Sequence, residues 1–105
     1  MKKGDCSLYY DKFIWDEKKH QTNIKKHGIS FNEATSVFED ENALYLPDER
    51  HSENEERFII LGMSEKLNLL MVCHCYRNGD SAIRIISARK TTKSESNLYG
   101  GAKNV

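Results

Sequence analysis

Three arginines (Arg57, Arg84, Arg89) and two histidines (His51, His74) carry the chemistry open to this sequence. A guanidinium is a planar fork of donors that matches the oxygens of a phosphate. An imidazole titrates near neutrality and can accept or give a proton. Together, such groups could hold an anionic substrate and move protons at its reacting centre. Each also has a plain structural reading. His51 could anchor the polar loop around it, and His74 could be a hydrogen-bonded core residue. The arginines could sit in ion pairs, with Glu53, Glu55 and Glu56 as nearby acids. His27 reads as a helix-end residue favoured by the helix dipole, and His20 as a surface residue.

Other chemistries lack the spacing they need. In Cys73-His74-Cys75 the cysteines and the histidine point to opposite faces of a strand, and no second ligand pair follows, so zinc fits badly. There is no glycine-rich phosphate loop and no G-x-S-x-G. No metal or organic cofactor is therefore expected. Cys73 and Cys75 would lie roughly 6.5–7 Å apart along a strand, outside disulfide geometry. With Cys6 they make an odd number of thiols, which points to a reducing, cytoplasmic setting.

The elements that must position these groups centre on Leu67–Lys90. Asn78-Gly79, flanked by β-branched and aromatic runs, predicts a tight hairpin. A two-residue loop would pair Arg77 with Asp80, Tyr76 with Ser81, His74 with Ile83 and Cys73 with Arg84. One face would carry Leu70, Val72, His74, Tyr76, Ile83, Ile85, Ser87 and Arg89. The other would carry Leu69, Met71, Cys73, Cys75, Ala82, Arg84, Ile86 and Ala88. The second, smaller face is the expected seat of the helices, leaving the first free. Arg57 falls on either face, depending on how the Met63–Lys66 turn is centred, because a one-residue slip flips every side chain. Arg84 and Arg89 would lie about 17 Å apart along the strand, too far to share one phosphate.

Around the hairpin the chain reads β-α-α-β-β-β-β-α. Phe13–Trp15 forms a first strand, and Asp16 caps a helix that ends at His27 with Gly28 as its left-handed residue. Ser30 and Glu33 form a capping box before the stripe Phe31, Ala34, Val37, Phe38. Strands follow at Ala43–Leu46 and Phe58–Gly62, and Thr92 with Glu95 caps a last helix ending near Tyr99–Gly101. The expected fold is α+β, with two N-terminal helices packed on an antiparallel four-stranded sheet and a short C-terminal helix. Residues 1–11 read as a flexible extension, 12–99 as one domain and 100–105 as a tail.

Composition agrees with a single soluble domain. At 105 residues, 38% hydrophobic and 30% charged, the chain can bury one core, and no apolar run approaches a membrane span. Zero net charge argues against a strongly basic nucleic-acid binder. The charge is nevertheless uneven. Five lysines crowd Lys12–Lys26, eight acids crowd Glu39–Glu56, and five basic residues follow from Arg84 onward. The two basic ends could converge on one face and steer an anion.

Several strings resemble the BrnT toxin family. They are Trp15-Asp16, Lys19, Asn23, Lys26-His27-Gly28-Ile29-Ser30-Phe31, Glu33-Ala34 and Phe38, then His51-Ser52, Glu55, Arg57, and Arg84-Ile85-Ile86-Ser87-Ala88-Arg89. The resemblance spans Phe13 to Tyr99. The extension before it and Cys73-His74-Cys75 depart from the family pattern. It implies a ribonuclease with a RelE-like fold, the toxin of a type II toxin–antitoxin pair. It also implies a BrnA-like ribbon-helix-helix antitoxin as partner, in a two-plus-two assembly that reaches operator DNA only through the antitoxin. On this reading Arg57, His74, Arg84, Arg89 and His51 would be catalytic, using the RNA's own 2′-OH without metal. Lys19, Lys26, Tyr76 and Lys90 would hold the RNA. Two other functions stay open: a non-catalytic partner of a DNA-binding antitoxin, and a metal-independent hydrolase of another substrate.

Overall fold

A computed structural model describes residues 12–48, 55–77, 79 and 81–104 of the protein. In chain order they form β1 (Lys12–Ile14), α1 (Glu17–His27), α2 (Phe31–Ser36), a 3-10 turn (Val37–Glu39), β2 (Leu44–Pro47), β3 (Phe58–Met63), β4 (Leu69–Arg77), β5 (Ala82–Lys90) and α3 (Lys93–Asn104). The extension at 1–11 lies outside the described residues. No described helix is long and apolar enough to cross a membrane.

The helix ends follow local chemistry. Asp16 accepts a hydrogen bond from the Lys18 amide at 2.8 Å and starts α1. Gly28, at φ 71°, ends it with an amide bond to the Ile24 carbonyl. Ser30 caps α2 through the Glu33 amide. The Glu33 carboxylate does not close the expected box. It is buried, and it accepts from Ser64 Oγ at 2.6 Å and Asn68 Nδ2 at 2.8 Å, which ties α2 to the β3–β4 turn. The box of Thr92 and Glu95 is complete, each amide bonding the other's side chain.

The sheet has five strands in the order β1-β5-β4-β3-β2. This corrects the expected four-stranded antiparallel sheet. β1 runs parallel to β5, Phe13 opposite Ile83, and so makes the sheet mixed. The free edge of β5 offers unpaired backbone groups that this short strand satisfies.

The two central strands do form an antiparallel pair, but not in the expected register. Arg77 pairs with Ala82, leaving residues 78–81 as the connection rather than a two-residue loop. Gly79 takes the positive φ, 64°, expected of it. Further along, His74 faces Ile85 while Cys73 faces Ser87, so Ile86 is an extra, bulged residue on β5. Before the bulge, Ile83 and Ile85 share a face with Tyr76 and His74. After it, Ala88 shares that face with Val72, and Arg89 moves to the face of Met71.

The helices cover the face opposite to the one expected. The core joins Ile29, Phe31, Ala34 and Val37 to Ile60, Leu70, Val72, Ile83, Ile85 and Ala88. Leu70, Val72, Ile83 and Ile85, expected to form an exposed patch, are buried here. Large branched aliphatic side chains fill the space under a helix layer better than Cys73, Cys75 and Ala82 could. Fully burying one such side chain is worth roughly 1.5–3 kcal/mol. Gly62 lies under the 3-10 turn, where an added Cβ would come within 2.8 Å of Val37 Cγ1.

The inward side of α1 is polar. His20 and Asn23 are its buried residues, whereas Ile24 is exposed. His20, read as a surface residue, stacks on Phe31 with ring centroids 5.0 Å apart and meets the Trp15 edge at 5.5 Å. Asn23 Nδ2 donates to the carbonyls of Ile29 and Ala88, and its Oδ1 accepts from the Ala88 amide. It thus extends the edge of β5 beyond the point where β1 stops.

Candidate functional site

The bulge at Ile86 assembles the site. Two residues five apart on a regular strand point to opposite faces. The extra residue places Arg84, opposite Cys75, and Arg89, opposite Met71, on the same face of the sheet. β3 settles the choice left open for Arg57. Ile59 pairs with Cys73 and Leu61 with Met71, so the odd-numbered residues of β3 share this face. Arg77, at the end of β4, joins them. The face turned away from α1 and α2 therefore carries four arginines, Arg57, Arg77, Arg84 and Arg89.

Carboxylates hold three of them. Glu55 bridges Arg57 Nε at 3.2 Å and Arg77 Nη2 at 2.7 Å. Burial works against ionising Glu55, but the hydrogen bonds and charges of the two arginines outweigh it and hold its carboxyl below the usual range. Glu95 grips Arg89 end-on, with Nη1–Oε1 at 2.8 Å and Nη2–Oε2 at 2.9 Å. The Arg89 bonds lower the Glu95 carboxyl to about 2, and Glu95 in turn raises the Arg89 guanidinium above its usual value. Arg84 makes no hydrogen bond or ion pair among the described residues.

A groove of about 490 Å³ lies on this face, lined by Asp48, Arg57, Ile59, Met71, Cys73, Ile86, Ser87, Arg89 and Glu95. Its lining mixes apolar side chains with two arginines and two carboxylates. Cys73 donates to Asp48 Oδ2 at 3.4 Å, and burial, then this bond, pushes its thiol up to about 12. A thiol so hard to ionise is a poor nucleophile. The cysteines lie on this face and His74 on the other, which separates the ligands of the zinc constellation. Among the described residues no group of three His, Cys, Asp or Glu side chains is placed to hold a metal.

The sequence-derived candidates divide sharply. Arg57, Arg84 and Arg89 share the groove face. His74 lies on the opposite face, fully buried, with Nδ1 3.1 Å from the Val72 carbonyl and Phe38, Phe58, Tyr45 and Tyr76 around it. Burial lowers its pKa to about 4, so it is a neutral core residue near pH 7. Tyr76 packs against the same core. Lys19 and Lys26 are exposed on α1, in the layer behind the sheet. Lys90 pairs with Leu70 and so lies on the face opposite to Arg89, at the sheet end. His51 falls in 49–54, outside the described residues.

Arg77, Glu55 and Glu95 were missed as site residues. Arg77 looked like a hairpin-end charge, and Glu95 was recognised only as a helix cap. One signal was available: Arg57, Cys73 and Arg77 fall on the same face once the β3–β4 turn is given even parity.

Residues 15–95 match the family model described as the ribonuclease toxin, BrnT, of type II toxin–antitoxin systems. The fold is similar to the crystal structure of the Brucella abortus ribonuclease toxin, BrnT, with 30% identity and a TM-score of 0.60. The match covers 78% of this chain and 97% of that one. No curated protein sequence matches.

Proposed function

Since this chain belongs to the BrnT family of ribonuclease toxins of type II toxin–antitoxin systems, we propose that it cuts RNA on the arginine-bearing face of its sheet. The observation that carries this reading is the bulge at Ile86, which gathers Arg84 and Arg89 with Arg57 and Arg77 on one face. The one-residue shift turns Ala88 into the core and Arg89 out of it, and so leaves a row of cations spaced along the path of a polyanion.

Cleavage takes the RNA's own 2′-OH as nucleophile and uses no metal. The oxygen attacks the adjacent phosphorus as its proton leaves, and the 5′-oxygen departs with a proton. This gives a 2′,3′-cyclic phosphate and a 5′-hydroxyl. Arg57 and Arg89, which line the groove, stabilise the charge on the crowded phosphate, and Arg84 and Arg77 extend the row to neighbouring phosphates. His51 is retained for proton transfer, as the histidine candidate left once His74 is assigned to the core. His74 and Tyr76 take no part, since the sheet separates them from the groove. Lys19, Lys26 and Lys90 could meet only RNA that wraps past the sheet edge.

The partner is a BrnA-like ribbon-helix-helix antitoxin in a two-plus-two assembly on a RelE-like toxin fold, and operator DNA is bound through the antitoxin alone. The setting is cytoplasmic. The test is cleavage of end-labelled RNA, and of its 2′-deoxy counterpart, by the purified chain in EDTA. RNA ending in cyclic phosphate, with inert DNA, is the expected result. Products with 5′-phosphates, or loss of cleavage in EDTA, overturn the scheme.

A further inference from the structure

We infer that Glu95 is a positioning residue that presents one edge of Arg89 to an RNA phosphate. The inference rests on the ribonuclease reading above. A guanidinium has five N–H groups. Glu95 takes one from Nη1 and one from Nη2, at 2.8 and 2.9 Å. The Lys90 carbonyl takes the second from Nη1, at 3.2 Å. The Nε–H and the outer Nη2–H remain, and together they form a side-on fork that nothing pairs with among the described residues. That fork belongs to a residue lining the groove beside Ser87 and Ile86. A phosphate can accept both bonds in parallel.

Glu95 is itself fixed. Its Oε1 also accepts from the Thr92 amide at 2.9 Å, and its own amide bonds Thr92 Oγ1. The first turn of α3 thus sets the carboxylate, and the carboxylate sets the guanidinium. A free arginine side chain must give up rotamer freedom to bind; one held in this way has already lost it. Glu95 touches no substrate in this scheme and acts only through Arg89.

The experiment separates the cap from the clamp. Glu95→Gln keeps a side chain suited to the capping box, but its amide NH₂ meets the Nη2 donor and breaks the fork. It is expected to lower kcat about 10- to 100-fold, the scale of a small misplacement, with KM within about twofold and the far-UV circular dichroism of the wild type, although the lost ion pair lowers the denaturation midpoint. In an Arg89→Ala background the same change is expected to add nothing, because the residue acts through that arginine. Arg89→Lys keeps the charge and the pair with Glu95 yet lacks the second edge. It is expected to lose about 10²–10³ in rate, the scale of a lost transition-state donor. Arg89→Lys thus carries the test even where Glu95→Gln fails to fold. Wild-type cleavage by either single variant, or losses that multiply in the double variant, overturns the positioning role and leaves the ribonuclease reading standing. A wild-type chain inert toward RNA overturns both.

Discussion

Asn23 on α1 and Ala88 on β5 exchange two hydrogen bonds, Nδ2 to the carbonyl at 2.8 Å and amide to Oδ1 at 3.0 Å. The side chain thereby serves as one more residue of an edge strand, directly after the bulge that re-aims Arg89. Asn23→Ala would strand both Ala88 groups and one bond to the Ile29 carbonyl. The expected loss is about 2–3 kcal/mol, from partly resolvated orphans. It should appear as a lower urea midpoint, with cleavage reduced further because the bulge loses its support. An unchanged midpoint would remove Asn23 from this role.

His74 links stability to pH. In the fold its ring stays neutral down to about pH 4, because burial disfavours the cation, whereas the unfolded chain protonates near pH 6.5. Between those values the unfolded state binds more protons. Stability is therefore complete above about 6.5 and falls as the pH drops toward 4, by roughly 3 kcal/mol at most. Urea midpoints across this range should show the slope, and His74→Leu should flatten it. The same variant should still cut RNA; loss of cleavage with an intact fold would return His74 to the mechanism.

The two sides of the sheet should respond differently to charge removal. Arg57→Ala is expected to cost 10²–10³ in kcat, about 3–4 kcal/mol, and Arg84→Ala to weaken RNA binding with a smaller loss in kcat. Lys19→Ala and Lys26→Ala, on the helix layer, should stay within a few-fold. The salt dependence of RNA binding should flatten by about one unit for each arginine lost and not for the lysines. Equal slopes for both sets would place the RNA elsewhere.

Gly62→Ala tests packing at the far end of β3. Its methyl group would sit 2.8 Å from Val37 Cγ1 and 3.0 Å from Ala43 Cβ. Neither contact is the far end of a flexible side chain. The expected destabilisation is about 1–3 kcal/mol, as for other overpacked sites. Calorimetry reading the melting temperature would decide, and a wild-type value would mean that the 3-10 turn above the glycine yields freely.

Local chemistry was readable from the residues themselves: Asp16, Gly28 and the Thr92–Glu95 box all act as their types predict. Parity was not. Nothing in Ile85-Ile86-Ser87 marks which residue is extra, yet that one residue decides where Arg89 points. The helix-covered face was misjudged for a related reason. His74 and Tyr76 looked too polar for a core, but neighbouring aromatic rings enclose the imidazole and its Nδ1 meets a backbone carbonyl. The β1–β5 pairing joins segments from the two ends of the domain, and periodicity within either segment carries no trace of the other.

That pairing also bears on the order in which the domain folds. β2, β3, β4 and β5 are joined to their neighbours through connections that close small loops, so this meander can form early. β1 pairs only with Ala82–Arg84, across nearly the whole described chain, and the entropy of closing so long a loop must be met before the contact returns anything. Lys12–Ile14 therefore docks last, and during synthesis it must wait until β5 has emerged. Amide protection measured by pulse labelling during refolding should appear in β4 before it appears in β1. Until that edge is covered, the arginine face already exists but stands on an unfinished sheet.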